Sequence, residues 1–175
     1  MIYLISLFAL VTVLHYLSLK VQAKHEFYTK TFGKYGFQIH CLITGFLWIL
    51  LFVAFIFTDK SNYPNLSIFN SYLFKPMGFL LSLIGIVLIF WSGSLLGLKK
   101  AWGIRFFEKK YKDIIEKRGP YKFLVNPIYD GFFVYFLGKT IVTDSLLYLF
   151  LSLESFLLLN IFLARFENQE IVEKV

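Results

Sequence analysis

The residues able to do chemistry gather in a few short stretches. Gly93 and Gly97 in "SGSLLG" fall one helical turn apart, a spacing that lets a ligand or another backbone approach closely. Small-residue helix packing produces the same pattern. "RGPYKFLVNPIYDG", residues 118–131, places two prolines, two tyrosines, Asn126 and Asp130 between the most basic stretch of the chain and one of its most apolar. Gly119-Pro120 and Asn126-Pro127 are turn signals, and each proline pushes its predecessor out of helical geometry, so the backbone is expected to be irregular from Arg118 to Pro127. At membrane depth such backbone is tolerated where it lines a cavity. An ordinary loop with Pro127 opening a helix would read the same way. In "ARFENQE", Arg165 and Glu167 mark the end of a long apolar run, at the same level as Gly97 and Asn126, although a solvated helix end has the same composition. Glu154, near the middle of that run, is costly unless it faces protein or water, and Lys139 is its expected partner.

The elements that must position these residues are membrane helices. The chain is 58% hydrophobic and only 17% charged, more apolar surface than a soluble domain of 175 residues can bury. Apolar stretches run over 2–19, 37–57, 74–98, 128–142 and 145–165. None alternates as a barrel strand does, and a backbone in lipid must satisfy its own hydrogen bonds. The expectation is an all-α, polytopic bundle of about five transmembrane helices forming a single domain over 1–175. Thr143-Asp144-Ser145 is short enough to make the last two helices an antiparallel hairpin, with Asp144 or Ser145 capping the fifth.

Lysine and arginine crowd into the segment after the first apolar stretch and the segment after the third. The positive-inside rule then places the amino terminus outside and both basic segments and the carboxyl terminus in the cytoplasm. The net charge of +7 thus reports topology and anionic headgroups rather than nucleic acid. "FFEKKYKDIIEKRG" has the pattern of an interfacial amphipathic helix. Cys41 is the only cysteine, so no internal disulfide forms, and a buried core thiol is expected. His15, His25 and His40 have no metal-ligand spacing and are expected at interfaces or in loops; no metal is implied.

The order "SGSLLG", a basic connector, "GPY", "NPIYDGFFVYFLG" and a long apolar helix ending in "ARFENQE" resembles the integral-membrane methyltransferases, which include phosphatidylethanolamine N-methyltransferases and isoprenylcysteine carboxyl methyltransferases. The resemblance covers about residues 90–175 and lies nearer the phospholipid branch. It implies an S-adenosylmethionine site at Gly93, Gly97, Tyr121, Asn126, Pro127, Tyr129, Gly131 and Glu167. Where that family commonly has two adjacent glutamates, this chain has Glu167-Asn168.

For such a cofactor, Glu167 and Asn126 would supply polar contacts, Arg118 or Lys122 would answer the carboxylate, and Tyr121 or Tyr129 would wall the base. Asp130 and Tyr129 are the candidate catalytic pair, Asp130 being placed to orient an ammonium. The implied activity is methylation of a membrane lipid headgroup at the cytoplasmic face, foremost the amine of an ethanolamine-type phospholipid. A carboxyl methyltransferase, an NADPH-dependent membrane reductase and a noncatalytic protein of the same fold are the competing readings.

Overall fold

The computed structural model describes residues 1–58, 64–66, 68–69, 72–111 and 116–163, with the side chains of 161–163 excepted. Among them the structure is all-α, without strands beyond an isolated bridge between Asn65 and Ser145. Helix α1 spans Ile2–His25, α2 Phe27–Phe32, α3 Gly36–Phe57 and α4 Phe74–Leu96. After the short α5, Leu98–Ala101, come three single turns of 3-10 helix and then α6, Pro127–Thr143. Helix α7, Leu146–Glu154, continues as a π-helical segment, Ser155–Leu163.

Three helical stretches are long and apolar enough to cross a membrane: Ile2–His25, Phe27–Phe57 and Phe74–Leu96. These are the first three expected spans. The fourth and fifth form the expected antiparallel hairpin, a 17-residue α6 followed by the shorter apolar helix Leu146–Asn160. At about 1.5 Å per residue, α6 covers about 26 Å, just under the roughly 30 Å of a hydrocarbon core. Pro127 at one end and Asp144 at the other set that length.

The tightest contact in the bundle joins α4 to α6. Apolar helices gain nothing from hydrophobic burial in lipid, so close van der Waals contact between small residues must hold them. Gly78, Ser82 and Gly85 on α4 face Gly131, Tyr135 and Gly138 on α6, and the backbones nearly touch. A Cβ on Gly85 would lie 2.5 Å from the Tyr135 nitrogen, and one on Gly138 would lie 2.6 Å from the Gly78 oxygen. Helix α1 fills the other side of α6, where Phe8 meets Phe136 edge-on with ring centres 6.2 Å apart.

Three details differ from the sequence expectations. Ser145 stands at the amino end of α7 without a capping side-chain bond, while the Asp144 carboxylate accepts the Ile68 and Phe69 N–H groups at 3.3 and 3.1 Å. Asp144 takes the left-handed conformation, φ 50°, tolerated by its short polar side chain, and pins the segment before α4 to the hairpin turn. Instead of one amphipathic helix, the basic connector forms separate 3-10 turns at Ile104–Phe106 and Lys109–Tyr111; residues 112–115 lie outside the described set. Cys41 is only half-buried on α3.

Gly85→Ala is expected to cost about 1–3 kcal/mol, because the methyl meets backbone that cannot yield. Gly93→Ala, which meets no described atom within 4 Å, should leave stability unchanged or raise it slightly. Unfolding of the two variants in mixed micelles checks the contrast; equal losses would contradict the seam.

Candidate functional site

The candidate site is built where α4 ends and α6 begins. Gly131 on α6 is opposed by Ile89 on α4, so the antiparallel pair brings the turn around Ser92 level with the first residues of α6. Helix α4 stops at Gly97, whose φ of 77° and ψ of 149° suit a residue without a Cβ. The connector leaves there and returns at Arg118. Gly119 then nests against Trp91 and Leu95, and the Tyr121 hydroxyl donates to the Ser92 carbonyl at 3.4 Å.

From Gly119 to Lys122 the chain makes one 3-10 turn, and it stays irregular to Asn126. Buried Pro127 then opens α6 as its first residue, where a missing N–H costs nothing. The Asn126 carbonyl accepts the Tyr129 and Asp130 N–H groups at 2.9 and 3.1 Å.

Among the described residues, two buried polar atoms at this end find no hydrogen-bond partner: Ser92 Oγ and Asn126 Nδ2. Leaving such groups unpaired is expensive, and native interiors seldom do so. Beside them, no described atom lies within 4 Å of the place a Cβ would occupy on Gly93 or Gly97. Open glycines next to an orphaned donor and an orphaned hydroxyl fit a polar ligand that brings its own acceptors.

The remaining sequence candidates divide. Asp130 is half-buried in the first turn of α6, where the helix dipole favours an acid. Tyr129 packs partly buried against the core formed by α1, α3, α6 and α7. Gly131 faces the α4 seam, with Ile89 and the Gly85 carbonyl filling the space a side chain would need, so its contribution is helix approach. Arg118 is held by Glu116 through paired bonds, Nε to Oε1 at 2.7 Å and Nη2 to Oε2 at 2.9 Å. Lys122 is exposed at the end of the 3-10 turn. Arg165, Glu167 and Asn168 lie outside the described residues.

The structure corrects the reading of two histidines. His15 and His40 are buried, their rings edge-to-face with centres 5.6 Å apart. Trp48 Nε1 donates to His15 Nδ1 at 3.1 Å, and Ser18 Oγ joins His40 Nδ1 at 2.8 Å and the Tyr28 hydroxyl at 2.7 Å. The connector seals this cluster: Trp102 stacks on His15, Phe107 packs on His40 and Tyr28, and the Phe106 carbonyl accepts from Gln22 at 3.3 Å. Twenty-five residues separate the two histidines, so nothing local in the sequence announced their meeting.

Residues 73–174 match the family model for phospholipid methyltransferase. The chain belongs to the phospholipid methyltransferase family. The matched segment, more than half of the chain, begins just before α4 and holds Ser92, Gly93, Gly97, Tyr121, Asn126 and Asp130 together. No curated protein and no solved structure matches the chain. Helices α1 and α3, with the buried histidines, lie outside the stretch shared with the family. An integral membrane methyltransferase whose family acts on phospholipids is therefore the frame for the geometry.

The Arg118 pair has a pH consequence. Its hydrogen bonds to the Glu116 carboxylate draw the Glu116 pKa from its ordinary 4.5 to about 2. A depressed carboxylate stabilises the folded connector above the ordinary value, and that contribution is lost as pH falls through about 2. Carbon-detected NMR titration should find the Glu116 midpoint near 2, and Arg118→Ala should return it toward 4.5. An unmoved midpoint would refute the pairing.

Proposed function

We propose that this protein transfers methyl groups from S-adenosylmethionine to the headgroup of a membrane lipid, foremost the amine of an ethanolamine-type phospholipid. The family match over residues 73–174 carries this reading, and the orphaned polar atoms beside open glycines support it. When bound, the cofactor supplies an electrophilic methyl group on a sulfonium, which needs no metal.

The chain's own residues position and enclose. Asn126 Nδ2 and Ser92 Oγ make polar contacts to the cofactor, and Gly93 and Gly97 let it lie against the end of α4. Tyr121 or Tyr129 walls its base. Lys122 answers its carboxylate, because Arg118 is engaged by Glu116. By the family resemblance, Glu167 supplies a further acceptor. Asp130 and Tyr129 orient the lipid's headgroup at the start of α6. Catalysis of this kind comes mainly from placing the reactants in line and excluding water.

The lysine-rich connector end faces the cytoplasm under the positive-inside rule, with the amino terminus outside. The acceptor lipid then enters sideways from the cytoplasmic leaflet.

Calorimetric titration of the detergent-purified protein tests the reading. Wild type should bind S-adenosylmethionine saturably, and Asn126→Ala should weaken binding by about tenfold, the loss of one or two buried hydrogen bonds. A wild-type protein that binds none would sink the proposal.

A further inference from the structure

Glu154 closes α7 where α-helical winding gives way to the π-helical segment. Such widened turns are often found at functional sites. Its Oε2 is buried and finds no hydrogen-bond partner among the described residues. Lys139, its expected partner across the hairpin, instead holds its ammonium over the Tyr148 ring, 5.5 Å from the centre. Thr12 Oγ1 on α1 and, six residues beyond Glu154, Asn160 Nδ2 on the π-helical segment are also buried without a partner among the described residues.

Contacts on either side fix the level of these groups. Ser152 donates to the Phe133 carbonyl at 3.3 Å and Phe156 packs on the Phe133 ring, so residues 152–156 lie level with Phe133. Phe8 meets Phe136, which puts Thr12, one turn farther along α1, at the level of Phe132 and Phe133. Thr12 and Glu154 therefore lie at one level of the bundle. That level lies six residues beyond Pro127, about 9 Å toward the bilayer from the Asn126 end of the site at 1.5 Å per residue.

We infer that Glu154, with Thr12 at the same level, is an entry subsite that receives the ammonium of the acceptor lipid before Asp130 and Tyr129 orient it at the start of α6. This rests on the reading that the site methylates a membrane lipid, and it names the group that selects the acceptor. An acid at this depth persists when it faces a cation or a polar cavity. A cationic headgroup supplies the missing charge, and a carboxylate acceptor would be repelled. Discrimination of this kind comes as much from the penalty on the wrong partner as from attraction to the right one. Thr12, from a helix outside the stretch shared with the family, would give the first helix a part in substrate choice.

The test is native mass spectrometry on the delipidated full chain, with phosphatidylethanolamine and phosphatidylglycerol added separately. Glu154→Gln should weaken phosphatidylethanolamine about tenfold, a single charge interaction, and leave phosphatidylglycerol, held by connector lysines, unchanged. Glu154→Asp, which keeps the charge, should recover part of the loss. Removing an unpaired buried carboxylate should leave the melting temperature of Glu154→Gln at or above that of wild type.

Unchanged phosphatidylethanolamine binding in Glu154→Gln, or equal losses of both lipids, would overturn the assignment. So would equal loss in the Gln and Asp variants with lowered melting in both, which would make the side chain structural. Cofactor titration on the same samples separates the two proposals. Wild type that binds no S-adenosylmethionine while Glu154→Gln loses phosphatidylethanolamine ends the methyltransferase reading and leaves the ammonium subsite standing.

Discussion

The backbone-to-backbone contact of α4 with α6 is the constraint on which the rest of the structure depends. Within a bilayer, helices have no hydrophobic reason to associate, so the pair holds only if its surfaces come very close. Gly78, Gly85, Gly131 and Gly138 permit that approach, and no larger residue fits. Once the seam is formed, the register of α6 on α4 is set. Register in turn puts Pro127 and Asn126 beside Ser92. The candidate site is thus a consequence of helix packing, placed at the end where the seam stops and the two chains diverge.

The same seam obliges the connector to travel. Leaving α4 at Gly97 and re-entering at Pro127, the chain must cross the end of the bundle and come back, and it is tied down at both limits. Trp102 to Phe107 bind into the buried histidine cluster of α1, α2 and α3, while Gly119 and Tyr121 bind to the last turns of α4. The first helices therefore hold one end of the segment whose other end walls the site. Much of this polar cluster is satisfied from within: Gln22 alone receives the Tyr28 N–H and donates to Thr29 and to the Phe106 carbonyl.

Much of this was legible from the residues. The helices fall where the apolar runs do, because a spanning backbone has no other way to satisfy its hydrogen bonds. The two X-Pro pairs marked the irregular segment and the start of α6 through local sterics alone. The basic connector was less legible, since the pull of Phe107 onto His40 in the bundle competes with its helical periodicity. Ser92 stood unnoticed inside "SGSLLG" because a serine on an apolar helix normally bonds back to its own helix, as Ser82 does to Gly78.

What the sequence determined by itself is whatever depends on short-range physics: the all-α class, the helix limits set by Pro127 and the hairpin turn, and the clustering of positive charge. What only the tertiary structure decided is which groups lack or share partners across long separations. His15 and His40 meet, Lys139 turns to Tyr148, and Glu154 keeps a buried oxygen unpaired among the described residues. The physical reason is that a side chain's partner is chosen by register and crossing between helices. Those depend on glycine contacts far away in the chain, and no local window of residues contains them.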